Sequence, residues 1–514
     1  MSRQYHPSLP GFLFLILALL IPLFEADSMV NADGDPARHV RHGDTILQQH
    51  DVIRTDSFTL TLSGKPFVGF EYGSQVLLAL AHRAGGTAGM AILTSLVVAT
   101  TLTLGVGWLL RRGVDPLLTA LAAVLTAILT SIHWLARPHI FSWPLLLLLF
   151  FWLERDRRPP LWQFAVLFVL WANLHGAFVL GWIVIGLYLA GHLLESWWSN
   201  DPEVRSNERR QAAGLLAVLA SAVLATVVNP YGWKLPILVV EWFRDPWLRL
   251  LTQEFQSPDF QQEDRPFLLS LFGMIAVLTF RPRPRWTHLM VVLGTAGMAL
   301  ISSRNIVQFG LLAVPLLTLS LTEPWRRRTG RVGFVQRFGA SARTGVAWPY
   351  VGLATVLLVV LALSHGRVGG RQLVAADFKP ERFPVDAVAW ARSNQAPGRM
   401  FHEFIWGGYI LYAWPEQKVF IDGGSDFYGG EFLRATKHVM SLQPGWRDSL
   451  DVWKIDRALL ATGGALTSEL LHSPNWAPVY CDRTSVFLLR APAAMDSLPR
   501  GRCEAEPSES VAGR

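Results

Sequence analysis

The chain has 514 residues, 51% of them hydrophobic and only 17% charged, and its mean hydropathy is +0.30. A soluble chain carries about a quarter charged residues, so this composition points to a membrane and excludes disordered, collagen-like and disulfide-scaffold classes. The formal net charge of +7 is no nucleic-acid footprint either, because the basic residues sit in short loops between apolar runs.

Taken in chain order, about eleven apolar stretches come close to the length that a 30 Å hydrocarbon core requires. They fall near 9–26, 87–110, 114–132, 138–153, 160–174, 177–196, 211–228, 266–280, 286–302, 304–321 and 346–364. The first, with Arg3 before it and small residues around Ala26 after it, fits a signal peptide as well as an uncleaved anchor; the anchor is the reading taken here. Alternate loops carry the Lys and Arg excess: Arg111 and Arg112, then Arg155, Arg157 and Arg158, then Arg205, Arg209 and Arg210, then Arg281, Arg283 and Arg285, then Arg326 to Arg328 with Arg331, Arg337 and Arg343. By the positive-inside rule these loops and the amino terminus are cytoplasmic. An odd number of spans then places the tail after about Ser364 on the outer face.

The long outer loop 27–86 opens with Asn31, Asp33 and Asp35 before Pro36, and Asp-Pro is equally what a helix start looks like. The stretch from there to His50 predicts an amphipathic helix lying along the bilayer surface, with His39 and His42 on its exposed face rather than as a metal pair. Asp56 reads as a turn organiser. Glu71 stands among Phe67, Phe70 and Tyr72, where a carboxylate calls for a basic partner or a ligand. Further outer turns supply His133, Arg137 and His139, then Asn173 and His175. Asn229 opens the outer loop 229–265 that contains Glu254, and Arg304 and Asn305 close the set. Singly each has an ordinary role as turn former, cap or interfacial cation; collectively they lie on one side, while the middles of the spans are nearly free of charge.

The tail, 365–503, mixes charge with short strand-like and helical runs and predicts a small α/β domain. Lys418–Ile421, Ala458–Ala461 and Ser485–Leu489 read as strands, and Val385–Ser393, Glu431–Met440 and Trp446–Trp453 as helices. Cys481 and Cys503 fit either a pair or two separate thiols, and 504–514 reads as a disordered end. The fold expected is a mainly α polytopic bundle, 1–364, followed by this α/β domain.

Arg54-Thr55-Asp56-Ser57-Phe58 with Gly64 and Glu71, Trp171-Ala172-Asn173-Leu174-His175-Gly176, Asn229-Pro230-Tyr231-Gly232, Glu254-Phe255-Gln256-Ser257-Pro258, Trp406-Gly407-Gly408-Tyr409 and Val419-Phe420-Ile421-Asp422-Gly423 are similar to phrases of a group of bacterial polytopic proteins of largely unassigned function, and the layout resembles the GT-C type of membrane glycosyltransferase. That class includes protein O-mannosyltransferases, the lipid A aminoarabinose transferase and the catalytic subunit of oligosaccharyltransferase. The resemblance implies transfer of a sugar from a polyprenyl-phosphate carrier to a hydroxyl acceptor on an envelope glycan, lipid or protein. It also implies an acid early in the first outer loop that acts as base or helps to hold a divalent cation, Mg or Mn. By position that acid is Asp35, with Asp33 as the alternative, although the aromatic residues that usually follow it are missing here. Arg304, with Arg137 or His175, would then face the leaving phosphate. Glu71 and Glu254 would hold sugar hydroxyls or the ion, with His133, Asn173 and Asn229 lining the substrate site. Trp406, Tyr409 and Asp422 would lie on the acceptor side; Trp406-Gly407-Gly408-Tyr409 is similar to the Trp-Trp-Asp-Tyr-Gly phrase of oligosaccharyltransferase but lacks its acid, so peptide recognition is not carried over. The competing expectation is a non-catalytic envelope scaffold. A lipid-linked sugar transporter would need a polar path through the bilayer that the sequence lacks.

Overall fold

The structure is a computed structural model that describes residues 8–262, 264–280, 284–329, 346–394 and 398–490. Arg3, Arg281, Arg283, Arg331, Arg337, Arg343, Cys503 and the expected disordered end lie outside these residues. The chain is mainly helical, with a small sheet near its C-terminus.

Each apolar stretch of the sequence is helical. The elements run α1 (Leu9–Phe24), α2 (Ala26–Asn31), α3 (Asp35–Gln49), α4 (Tyr72–Arg111), α5 (Pro116–Ser131), α6 (Ser142–Leu153), α7 (Leu161–Leu174), α8 (Phe178–Trp198), α9 (Pro202–Ala225), α10 (Lys234–Arg244), α11 (Pro246–Leu251), α12 (Arg265–Phe280), α13 (Trp286–Ile301), α14 (Ile306–Gln308) and α15 (Val314–Thr329), followed by the helix Trp348–Leu363. Among the described residues three helices, Tyr72–Arg111, Phe178–Trp198 and Ser303–Arg328, are long and apolar enough to cross a membrane. Others are inside-out in the same sense: Leu121, Val124 and Ile128 face outward from α5, and Leu353, Val356, Val360 and Leu363 from Trp348–Leu363. Such a stripe at helical spacing, left bare in water, would be an aggregation surface; against lipid it is the favourable face. α4 joins two segments across Gly85 and Gly86. Gly86 has φ +62°, a conformation that β-carbon-bearing residues rarely adopt, so the helix breaks there between its loop part and its apolar part.

The surface helix expected after Asp35 is formed but is not on a surface. α3 packs on α4 and on the tail helix Gly407–Ala413, and His39 and His42, expected on an exposed face, are 1% and 3% exposed. The cause is that the polar face of α3 has partners of its own. It is turned inward because its Asp and Arg pair with groups on other elements, as described below. Asp35 is not the cap but the first helical residue, and Gly34 precedes it.

The tail opens with a short antiparallel ladder of β1 (Arg367–Val368) and β2 (Arg371–Gln372), and its main sheet has order β3 (Met400–His402), β4 (Arg457–Ala461), β6 (Ser485–Arg490), β5 (Trp476–Cys481). β3 runs parallel to β4 with Met400 opposite Arg457, while β4 and β5 run antiparallel to β6. The expected strand Lys418–Ile421 is not in this sheet. Its backbone pairs instead with the first outer loop: Leu60 N–H donates to Val419 O at 2.7 Å, and Val419 N–H donates to Phe58 O at 3.0 Å. Two expected helices match, Val385–Ser393 and Gly430–Met440, and the third ends at Val452. Loop and tail also share an apolar core in which Ile46 and Phe58 pack with Phe383, Trp406, Tyr409 and Ile410. Asn31 ties them again, donating to Asp377 O at 3.0 Å and accepting from Lys379 N–H at 2.9 Å.

Candidate active site

The outer-loop acids meet at one guanidinium. Arg137 lies 2.9 Å from Asp33 Oδ2 and 2.6 Å from Glu254 Oε1 through Nη1, and 2.8 Å from Asp35 Oδ2 through Nη2. Each partner is fixed by its own backbone. The loop that presents Arg137 is anchored where Ala136 N–H donates to Met29 O at 2.9 Å. Asp33 Oδ1 accepts from Asp35 N–H at 3.0 Å. Glu254 sits in the short turn Gln253–Phe255, whose carbonyl at Glu254 accepts from Ser302 Oγ at 2.9 Å. That bond brings the Glu254 segment against the turn holding Arg304, and Arg304 Nη1 stands 3.7 Å from Glu254 Oε2 with its guanidinium over the Phe255 ring at 5.3 Å.

A second cation, Arg38 of α3, continues the network. Its Nε is 3.5 Å from Asp35 Oδ1 and its Nη2 is 3.7 Å from Glu71 Oε2. Glu71 also has His39 Nδ1 and His175 Nε2 at 3.7 Å each. On its far side Arg38 lines a hollow with His42, Asp56, Phe58, Phe67, Asp422, Asp426 and Phe427. Asp35, Glu71, Glu254 and Arg304 therefore belong to one connected cluster through Arg137 and Arg38, and none of the four lines that hollow.

Charge states follow from burial and from these neighbours. Burial disfavours ionisation of Glu254, but Arg137 and Arg304 outweigh it and hold its carboxyl well below the usual carboxylate range. Burial pushes Asp33 up to about 6 against the pull of Arg137, with Asp35 and Glu254 adding to the rise. Burial likewise pushes Glu71 up to about 7, opposed by Arg38 and assisted by Asp426 and Asp35. Asp426, on the far side of Arg38, rises to about 6, chiefly through burial. The loop histidines are neutral: burial and nearby arginines lower His175 well below the usual value and His133 to about 4.

The remaining sequence candidates are placed differently. Asn173 is a tie between elements, donating to Val169 O and Val228 O and accepting from Tyr72 OH. Asn229 closes its own turn, donating to Thr226 O and Gly232 O and accepting from Tyr231 N–H. His133 flanks the cluster, and its carbonyl accepts from His139 Nε2 at 2.9 Å. Trp406 and Tyr409 lie in the apolar core of the tail, Trp406 donating from Nε1 to Arg382 O at 2.9 Å. Of the three acceptor-side candidates only Asp422 reaches the hollow. Replacing Trp406 by Phe should therefore cost about 1 kcal/mol of stability through the lost hydrogen bond and leave enzymatic rates unchanged. Thermal unfolding beside an activity assay checks this, and a selective loss of acceptor affinity would return Trp406 to the site.

The sequence reading missed Arg38 and Asp426. Arg38 is three residues after Asp35 on one helix, a spacing that was available but reads as an ordinary solvated pair. Asp426 lies in the one-turn helix Ser425–Tyr428, flanked by glycines and with no pattern of its own. As for a divalent ion, no group of three or more His, Cys, Asp and Glu suited to one forms among the described residues. Arg137 takes the centre of the three acids, so the present arrangement does not fit an ion, and no step below runs through one.

No protein-family model and no curated protein matches the chain. Solved structures do. The oligosaccharyltransferase of Archaeoglobus fulgidus, tethered to an acceptor peptide containing the NVT sequon, aligns with a TM-score of 0.55 at 15% identity, over 88% of this chain and 68% of that one. The oligosaccharyltransferase AglB of the same organism, in complex with an inhibitory peptide and a dolichol-phosphate, aligns at 0.54 and 14%, over 93% and 73%. The chain has a GT-C-type fold. ArnT from Cupriavidus metallidurans in the apo state is also similar, with a TM-score of 0.48, 13% identity and coverage of 93% and 97%. Within the GT-C-type fold of this chain, the acid and arginine cluster gathers residues from α3, from the loops before α4 and after α5 and α7, and from the turns at Glu254 and Arg304.

Proposed function

We propose that the chain is an integral membrane glycosyltransferase that moves a sugar from a polyprenyl-phosphate carrier to a hydroxyl acceptor. The observation that carries this reading is the convergence of Asp33, Asp35 and Glu254 on Arg137, with Arg304 beside them. A carboxylate can take a hydroxyl proton as the new bond forms, and a guanidinium can grip a phosphate as charge grows on it. Arg304 suits the phosphate better than Arg137, since Arg137 is fully engaged by acids while Arg304 has one loose ion pair at 3.7 Å. The neighbours' oligosaccharyltransferase activity and the dolichol-phosphate bound in one of them support the carrier class by analogy of fold.

In this reading about eleven spans cross a bacterial inner membrane with the amino terminus cytoplasmic. Residues 1–364 form the membrane domain and 365–503 a periplasmic domain over the site. The arginine loops support the orientation. Arg112 meets Glu154 at the end of α4 opposite Glu71, so the cluster and the basic loops are at opposite ends of one helix.

The test is incubation of the purified protein in lipid discs with radiolabelled polyprenyl-phosphate sugars and a panel of envelope acceptors. Arg304→Ala is expected to lower the transfer rate about a hundredfold while the protein remains folded. If wild type neither binds nor consumes any carrier, the scaffold alternative replaces the enzyme.

A further inference from the structure

Asp35 is the residue that position in the chain nominates as base, yet its surroundings suit it badly. One oxygen is 2.8 Å from Arg137 and the other 3.5 Å from Arg38. A carboxylate that receives a proton must release these contacts or share the lone pairs they occupy, so both oxygens of Asp35 are already turned toward guanidiniums rather than toward an acceptor. Glu71 is the opposite case. Its side chain is 14% exposed, and its nearest charged or ionisable neighbours, Arg38, His39 and His175, all stand at 3.7 Å, beyond hydrogen-bond distance.

The neighbour at His175 is fixed as a neutral donor by a chain of hydrogen bonds. Ser142 Oγ accepts from Trp171 Nε1–H at 2.9 Å and lies 2.9 Å from His175 Nδ1, to which its own hydroxyl proton donates because Nδ1 is already an acceptor from the backbone. Ala177 N–H donates to the same Nδ1 at 3.2 Å. With Nδ1 accepting twice, the ring proton is on Nε2, the atom that faces Glu71 Oε1. His39 is likewise held neutral by burial and by Arg38. Around Glu71 the charged groups are thus Arg38 and Asp35 from α3, Arg137 from the loop after α5, and Asp426 from the tail. Arg304 is near enough to act electrostatically on both Glu71 and His175.

We propose that Glu71, not Asp35, is the proton acceptor of the transfer reaction, with Asp35 and Asp33 serving to hold Arg137 in place. This rests on the glycosyltransferase reading above and deepens it. As the acceptor O–H bond breaks, the proton passes to a Glu71 oxygen and the oxygen's electron pair forms the bond to the anomeric carbon. The bond from that carbon to the carrier's phosphate oxygen breaks, and its pair leaves on the phosphate beside Arg304. The elevated proton affinity of Glu71, which titrates at about 7, places its working form at neutral pH and above.

The test combines kinetics with a measurement that needs no turnover. Wild-type transfer at saturating acceptor should rise with pH through about 7, and Glu71→Gln should lower the rate at least about a hundredfold with carrier binding, followed by tryptophan quenching, unchanged. Asp35→Asn should weaken transfer while keeping the rising limb. In difference infrared titration of the unliganded protein, a protonated-carboxyl band should vanish through the same pH range and be missing in Glu71→Gln. A Glu71→Gln enzyme that keeps its rate and rising limb overturns the assignment and leaves the transferase standing. Wild type that binds and consumes no carrier removes both. Loss of the rising limb in Asp35→Asn, with the limb retained in Glu71→Gln, restores Asp35 to the role.

Discussion

Replacing Arg137 by Met is expected to destabilise the protein by about 3 kcal/mol or more, and to do so in a pH-dependent way. The side chain is 16% exposed and is the common partner of Asp33, Asp35 and Glu254. Its removal leaves three acids facing one another with little water to screen them, and breaking a buried ion pair from one side costs more than the pair contributed. The sign can be worked out from Glu254. In the wild type its folded-state pKa is depressed, so its contribution is present above the ordinary carboxylate pKa and is lost as pH falls below it. In the variant Glu254 loses its main cation, its folded-state value rises, and protonation relieves the repulsion. The gap in unfolding temperature between wild type and Arg137→Met should therefore be widest near pH 8 and narrow toward pH 4. Thermal unfolding in detergent across that range checks it. A gap that does not vary with pH would mean that Arg137 acts by packing rather than charge.

What the sequence made legible was the part governed by periodicity and by composition. Every apolar stretch is helical, because a run of that length and hydropathy has few other ways to satisfy its backbone in lipid. The outer-loop acids and cations do meet. What failed were inferences that depend on a partner far away in the chain. α3 carries a polar face that reads as a surface helix, and only the presence of Arg137, Glu71 and the tail loop on that face shows that it is buried. Lys418–Ile421 has strand composition but pairs with Leu60 and Phe58 of the first loop rather than with the tail sheet. β5 was missed because Pro478 interrupts it, and the ladder irregularity between Pro478 and Tyr480 accommodates this break. Trp406 and Tyr409 illustrate the limit of a motif likeness: the phrase is present, but both rings serve the core that joins loop and tail.

The same long-range dependence makes Gly423→Ala the substitution with the largest expected effect on rate for the smallest change in chemistry. A β-carbon at position 423 would fall 1.6 Å from Asp35 Oδ1 and 2.7 Å from its Cγ. Asp35 cannot simply swing aside, because Oδ2 is engaged by Arg137 at 2.8 Å. The loop cannot easily retreat either, since Asp422 Oδ1 accepts from Gly424 N–H at 2.7 Å and Val419 to Ile421 are fully buried. The added methyl must therefore pull Asp35 off Arg137 and disturb the geometry of the whole acid ring. Displacement of a site group by about 1 Å costs about a hundredfold in rate, whereas overpacking of this kind costs about 1–3 kcal/mol in stability. The expected result is a folded protein with at least that loss of transfer. A double-mutant cycle isolates the cause. In an Asp35→Ala background the offending carboxylate is gone, so Gly423→Ala should add little further loss of stability, giving a coupling energy well outside experimental error. Additive losses would show that the tail loop does not reach the acid cluster, and the dependence of the site on the tail would fall with them.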